Sequence, residues 1–148
     1  MKIIKNSIII LGLLLFISCD KKRVFDEYKS VKNEWHKDSI LKFDIPKLDA
    51  SKKYNVFLNI RDNNNFPYSN IFLIVSLEQP NKKILVDTLE GFSDIKENKL
   101  VYKENMAFNQ KGAYKITVQQ ASRQTGKVAG VTKLNGITEV GVRIENTP

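Results

Sequence analysis

The side chains with the most evident chemical potential sit together at 34–39, as Glu34-Trp35-His36-Lys37-Asp38-Ser39. A histidine beside carboxylates and a serine is the material of nucleophilic catalysis: the imidazole takes the serine proton and a carboxylate orients the imidazole. No Gly-x-Ser-x-Gly elbow frames Ser39 or Ser30, however, so this is read as a surface histidine. The 16 acidic residues could offer the separated carboxylate pair of a glycosidase, but so many acids produce such pairs by chance. Asp62-Asn63-Asn64-Asn65 is rich in oxygen ligands, yet it lacks the mid-loop glycine and closing glutamate of an EF-hand. Gly126-Lys127 would need a glycine five residues before Gly126 to make a phosphate loop, and that position is Ala121. The expectation is a chain without a catalytic centre, metal or cofactor.

A more specific signal surrounds Cys19, the single cysteine. Lys2 and Lys5 make a short basic region, and 8–17 is an apolar run well short of the roughly 20 residues that span a bilayer. Ser18 is small enough for a peptidase cleft, and Cys19 follows it directly. This arrangement matches a bacterial lipoprotein signal, in which the chain is cut before the cysteine and the thiol is acylated. Phe16 stands three residues before Cys19, where leucine is commonest. The expectation is therefore a cleaved signal at 1–18, lipidation of Cys19, a tether over 19–23 and one domain over 24–148. Losing 1–18, with Lys2 and Lys5, lowers the formal net charge from +8 to +6. Lys21, Lys22 and Arg23 then sit beside the lipid, where they suit anionic head groups or simply a solvated tether. No stripe of basic residues interleaved with aromatics marks a nucleic-acid face.

Behind these residues lies a strand-rich chain. Tyr54, Val56, Leu58 and Ile60 alternate with Asn55, Phe57, Asn59 and Arg61, the pattern of a half-buried strand. Alternation recurs at 114–119 and 140–145, and shorter strand candidates fall at 40–45, 83–89 and 100–103. The run 71–75 is apolar on both faces and is expected deep in a sheet. Asn81, Gly91, Gly112 and Asn135-Gly136 punctuate these runs as turns. Over 24–35 the apolar spacing fits either a short helix or an extended arm. Seven or eight short strands between turns predict an all-β fold, an antiparallel β-sandwich or jelly roll. The segment 62–69 exceeds the two to five residues typical of a hairpin loop. It is expected to cross between sheets or to carry a contact surface, with Phe66 and Tyr68 as candidate partner contacts.

Three segments together resemble the gliding-motility lipoprotein GldH family of Bacteroidetes-type bacteria. They are "YNVFLNIRDNNNFPYSNIFLIV" at 54–75, "NKLVYKENMAFNQKGAYKITVQQASR" at 98–123 and "LNGITEVGVRIE" at 134–145. The lipoprotein-like start and "WHKDSILKF" at 35–43 extend the likeness over nearly the whole mature chain. The resemblance implies a non-enzymatic, membrane-anchored accessory protein of the gliding apparatus, tied to type IX secretion and partnered by other envelope proteins. Cys19 is the one position to which it carries a chemical role. A competing expectation is a carbohydrate-binding sandwich, with Trp35, Tyr54, Tyr68 and Tyr102 as a stacking platform.

Overall fold

The computed structural model describes residues 21–92, 99–123 and 130–148. Residues 1–20, with the expected signal segment and Cys19, and the Gly126-Lys127 segment lie outside them. Ten strands are described: β1 (Arg23–Ser30), β2 (Glu34–His36), β3 (Leu41–Ile45), β4 (Lys53–Asp62), β5 (Asn70–Glu78), β6 (Ile84–Phe92), β7 (Lys99–Ala107), β8 (Tyr114–Gln120), β9 (Lys133–Asn135) and β10 (Ile137–Asn146). They form a four-stranded sheet in the order β1-β10-β4-β7, a second in the order β3-β8-β5-β6, and the small ribbon β2-β9.

The pairing follows a simple rule. β1 pairs with β10, β2 with β9, β3 with β8, β4 with β7 and β5 with β6, all antiparallel. The chain is one long hairpin that has been rolled up, and the added pairs β4–β10 and β5–β8 close the roll. This is jelly-roll order, and the all-β sandwich expected from the alternation is the fold observed.

Burial explains which patterns were legible. Val56, Leu58, Leu73, Val75, Leu77, Ile116, Val118, Val142 and Ile144 are fully buried between the sheets. Each is set by alternation along its strand. β5 lies inside the sheet, between β8 and β6, where its continuous apolar run was expected, and Phe72 and Ile74 on its second face are half-buried. Trp35 and Leu134 face each other across the small ribbon, both completely buried. They close one end of the core.

Two local expectations are resolved or corrected. The segment 24–35 is mostly extended: its spacing fitted a helix only because β1 is an edge strand. Phe25, Glu27 and Lys29 share the face turned toward the second sheet, opposite Ile144, Val142 and Val140. Charged residues on that face erase the apolar alternation, and they also discourage edge-to-edge pairing. Gly91 is not a turn residue but lies within β6. A Cβ there would meet Leu100 at 3.0 Å and Ile71 at 3.1 Å, so the glycine makes room for packing between the sheets.

The loop 63–69 carries the chain from the first sheet to the second, one of the two roles its length suggested. Asp62 and Asn63 cap the backbone N–H groups of Asn64 and Asn65, each at 3.0 Å. Asn64 takes a positive φ of 67°, a conformation asparagine tolerates better than most residues.

Candidate interaction surfaces

Phe66 and Tyr68 come together on the crossing loop. Their rings meet edge to face, with centroids 5.6 Å apart and planes at 65°. Both are half-buried and pack against the core cluster, so each ring keeps an exposed side while contributing to the fold. The loop is held by its neighbours. The Asn63 N–H donates to the Gly136 carbonyl at 2.9 Å, and the Gly136 N–H donates to the Asn33 carbonyl at 2.9 Å. Gly136 has φ +94°, and a Cβ on it would lie 2.5 Å from the Phe66 backbone nitrogen. Three loops therefore converge at this end, and glycine is what lets their backbones approach.

The chain enters at the other end. Arg23 lies in register with Glu145, Asn146 with Tyr54, and Lys53 with Ala107, so these pairs mark one end of the first sheet. The loops 46–52 and 108–113 connect that end to the matching end of the second sheet. Phe108 stacks edge-on against Tyr54 and Tyr114, at 5.9 and 5.0 Å, and ties the two sheets there. The Asn146 backbone N–H donates to the Lys22 carbonyl at 2.8 Å. The domain thus holds the chain as far back as Lys22, and Phe66 and Tyr68 lie at the end remote from this entry point.

A second surface escaped the sequence analysis. On the outer face of the first sheet, Tyr28, Gly141, Asn59 and Lys99 lie in one row. The Arg61 guanidinium sits 3.9 Å from the Tyr28 ring centre and pairs with Glu139 at 2.8 Å. Asn59 donates to the Tyr28 hydroxyl at 2.9 Å. Lys99 sits 3.9 Å from the Phe57 ring centre and reaches Glu145 at 3.1 Å, where Arg143 also donates at 2.6 Å. Burial alone would raise the Glu145 pKa, but the Lys99 and Arg143 hydrogen bonds outweigh it and hold the carboxylate below its ordinary value. The one available clue was Phe57, an aromatic on the outward set of a strand whose inward set was already complete.

The candidates for catalysis and for sugar stacking are engaged otherwise. The His36 Nδ1 accepts the Asp38 backbone N–H at 3.1 Å, within its own turn. Trp35, Tyr54 and Tyr102 are interior. The Trp35 Nε1 donates to the Ser39 carbonyl at 3.0 Å, and the Tyr54 hydroxyl accepts the Asp49 N–H at 3.0 Å. Tyr102 lies beside Asp87, and burial first, then that carboxylate, push its phenol well above its ordinary pKa. Of the four rings in the expected platform only Tyr68 keeps an accessible side, so the platform does not form. The carboxylates of Asp26, Asp87, Glu139 and Glu145 are each matched with a lysine or arginine rather than with another acid. Among the described residues no three histidine, cysteine or acidic side chains cluster as a metal site.

The chain is 56% identical to the gliding motility lipoprotein GldH of Flavobacterium johnsoniae, an alignment covering 96% of this chain and 97% of that protein. It is 48% identical to the gliding motility lipoprotein GldH homolog of Christiangramia forsetii, over 95% of this chain and 94% of that one. The family profile described as GldH lipoprotein matches residues 23–144, from the first residue of β1 into the last strand. On this evidence the chain belongs to the GldH lipoprotein family.

Proposed function

We propose that this chain is a lipid-anchored, non-enzymatic component of the gliding apparatus, tied to type IX secretion and acting through contacts with other envelope proteins. The observation that carries this is near-full-length similarity to proteins named as gliding motility lipoproteins. Cys19 takes the lipid, and the outer membrane is the anchoring membrane. The partner surface is the end bearing Phe66 and Tyr68, which faces away from the lipid attachment. Sheet edges add to it: β6 is an edge strand whose Ile84 and Val86 are 56% and 62% exposed, an arrangement open to strand addition by a partner.

A clean deletion strain tests the role. Surface spreading and export of secreted cargo should both fall, and crosslinking of the wild type should capture envelope proteins. Normal spreading and secretion would refute the assignment. Replacing Cys19 with alanine should move the protein out of the membrane fraction.

A further inference from the structure

The two ends of the sandwich differ in charge. At the entry end the segments 21–23, 46–53, 79–83 and 108–113 carry nine lysines and arginines and one acid, Asp49. Asp49 is turned into its own loop, accepting from the Ser51 N–H at 2.9 Å and the Ser51 hydroxyl at 2.6 Å. Lys47, Lys52, Lys83 and Lys111 are exposed, and Lys82 stays 84% exposed beside Glu78. The described segments at the opposite end mix signs: Lys37 lies beside Asp38 in a loop, and Lys133 of β9 pairs with Glu34 of β2 at 2.7 Å.

These basic loops form one surface. The Gln110 side chain donates to that of Gln79 at 3.0 Å and joins 108–113 to 79–83. A groove of about 770 Å³ runs between 45–50 and 108–114, with Leu48, Phe108 and Tyr114 in its apolar lining and Lys47 and Lys111 beside them. Cationic side chains next to a small apolar recess match the chemistry of a phospholipid surface, which offers phosphates above acyl chains.

We propose that this end of the domain docks on an anionic phospholipid surface, its loop lysines on the head-group phosphates. The inference rests on lipidation of Cys19 for its orientation. Because Asn146 holds the Lys21 and Lys22 carbonyls, Cys19 is only two residues, at most about 7 Å, from the folded base. That span is shorter than the roughly 8–10 Å over which salt screens charge. An acylated Cys19 therefore holds Lys21-Lys22-Arg23 against the bilayer and turns the end that carries the basic loops toward it, so that lipid and charge act as two signals on one membrane.

The test uses the mature lipoprotein purified from its own envelope, with acylation checked by mass. It is placed on phosphatidylcholine vesicles with and without phosphatidylglycerol, and lysine labelling by an amine reagent is read by mass spectrometry. Labelling of Lys47, Lys82, Lys83 and Lys111 should slow several-fold on the anionic vesicles and recover in high salt, while Lys37 labels equally on both. Equal labelling of the four loop lysines on the two vesicles would overturn the docking surface. The acyl mass reports on the anchor separately. Protection seen with an unacylated chain would support the basic surface and remove only the lipid.

Discussion

The ring of Tyr28 occupies the space that a side chain at Gly141 would need: a Cβ there would lie 2.6 Å from the Tyr28 Cδ1 and 2.7 Å from Cε1. The glycine in the middle of β10 is therefore a seat for an aromatic ring, and that ring in turn carries Arg61 and Asn59. Replacing Gly141 with alanine should push Tyr28 off the sheet and cost about 1 to 3 kcal/mol, the usual range for overpacking. Urea denaturation measures this. In a Tyr28→Ala background the same alanine should carry a smaller penalty, with the Glu27 carbonyl oxygen still close at 3.0 Å, and an undiminished penalty there would show that the ring is not the obstacle.

Phe66 and Tyr68 pack against the core with part of each ring left exposed. A fully buried Phe→Ala change costs about 3–5 kcal/mol, so these half-buried rings should each cost about 2 kcal/mol on truncation. A double-mutant cycle should return a coupling of about 0.5–1.5 kcal/mol for the edge-to-face pair. Phe66→Leu keeps most of the buried area. It should leave the denaturation midpoint close to wild type while lowering capture of envelope partners by crosslinking, and unchanged capture would take this loop out of the partner surface.

Gln120, buried at the end of β8, ties the small ribbon to the second sheet. Its amide donates to the Val131 carbonyl at 2.8 Å, and its oxygen accepts the Ser122 N–H at 3.0 Å. Gln120→Leu takes the partner from the buried Ser122 N–H and from the half-buried Val131 carbonyl and should cost about 2–4 kcal/mol. Trp35, the single tryptophan, is completely buried in this ribbon, so its emission should shift to the red at lower urea than in the wild type.

Glu145 makes stability depend on acid. Its folded pKa lies below the ordinary 4.5, so its contribution is fully present above 4.5 and is lost as pH falls through the lower folded value. Denaturation midpoints from neutral pH downward should show wild type losing its advantage over Glu145→Gln only below about 4.5. A gap between the two proteins that stays constant through the acid range would exclude the Lys99–Glu145–Arg143 network as its source.

What could be seen in the sequence followed from burial on one side only. β4, β8 and β10 announced themselves because every second residue points into a core and its neighbours into water. β1 was ambiguous because Glu27 and Lys29 take inward positions on an edge strand. β2 and β9, at three residues each, are too short for any period to register. The sheet crossing at 63–69 was one of two roles suggested by loop length alone. The ladder of Tyr28, Asn59, Gly141 and Lys99 was not legible, since it depends on register among four strands far apart in the chain. The basic entry end was half visible as Lys21-Lys22-Arg23. Its remaining lysines lie on three separate loops that only the roll brings together.

The rolled-hairpin pairing also sets an order of events. A chain emerging N-terminus first from a ribosome or a translocation channel presents β1 at the start and β10 at the finish. Yet β10 is the strand between β1 and β4, so the first sheet has no centre until the last dozen residues arrive. The β5–β6 hairpin can form early, and closure then proceeds outward to the two termini, against the loop-closure entropy of such distant partners. The second sheet has all its strands once Gln120 has emerged, whereas the first sheet waits for β10. A stop codon or protease cut just before 137 would remove the keystone rather than trim an end.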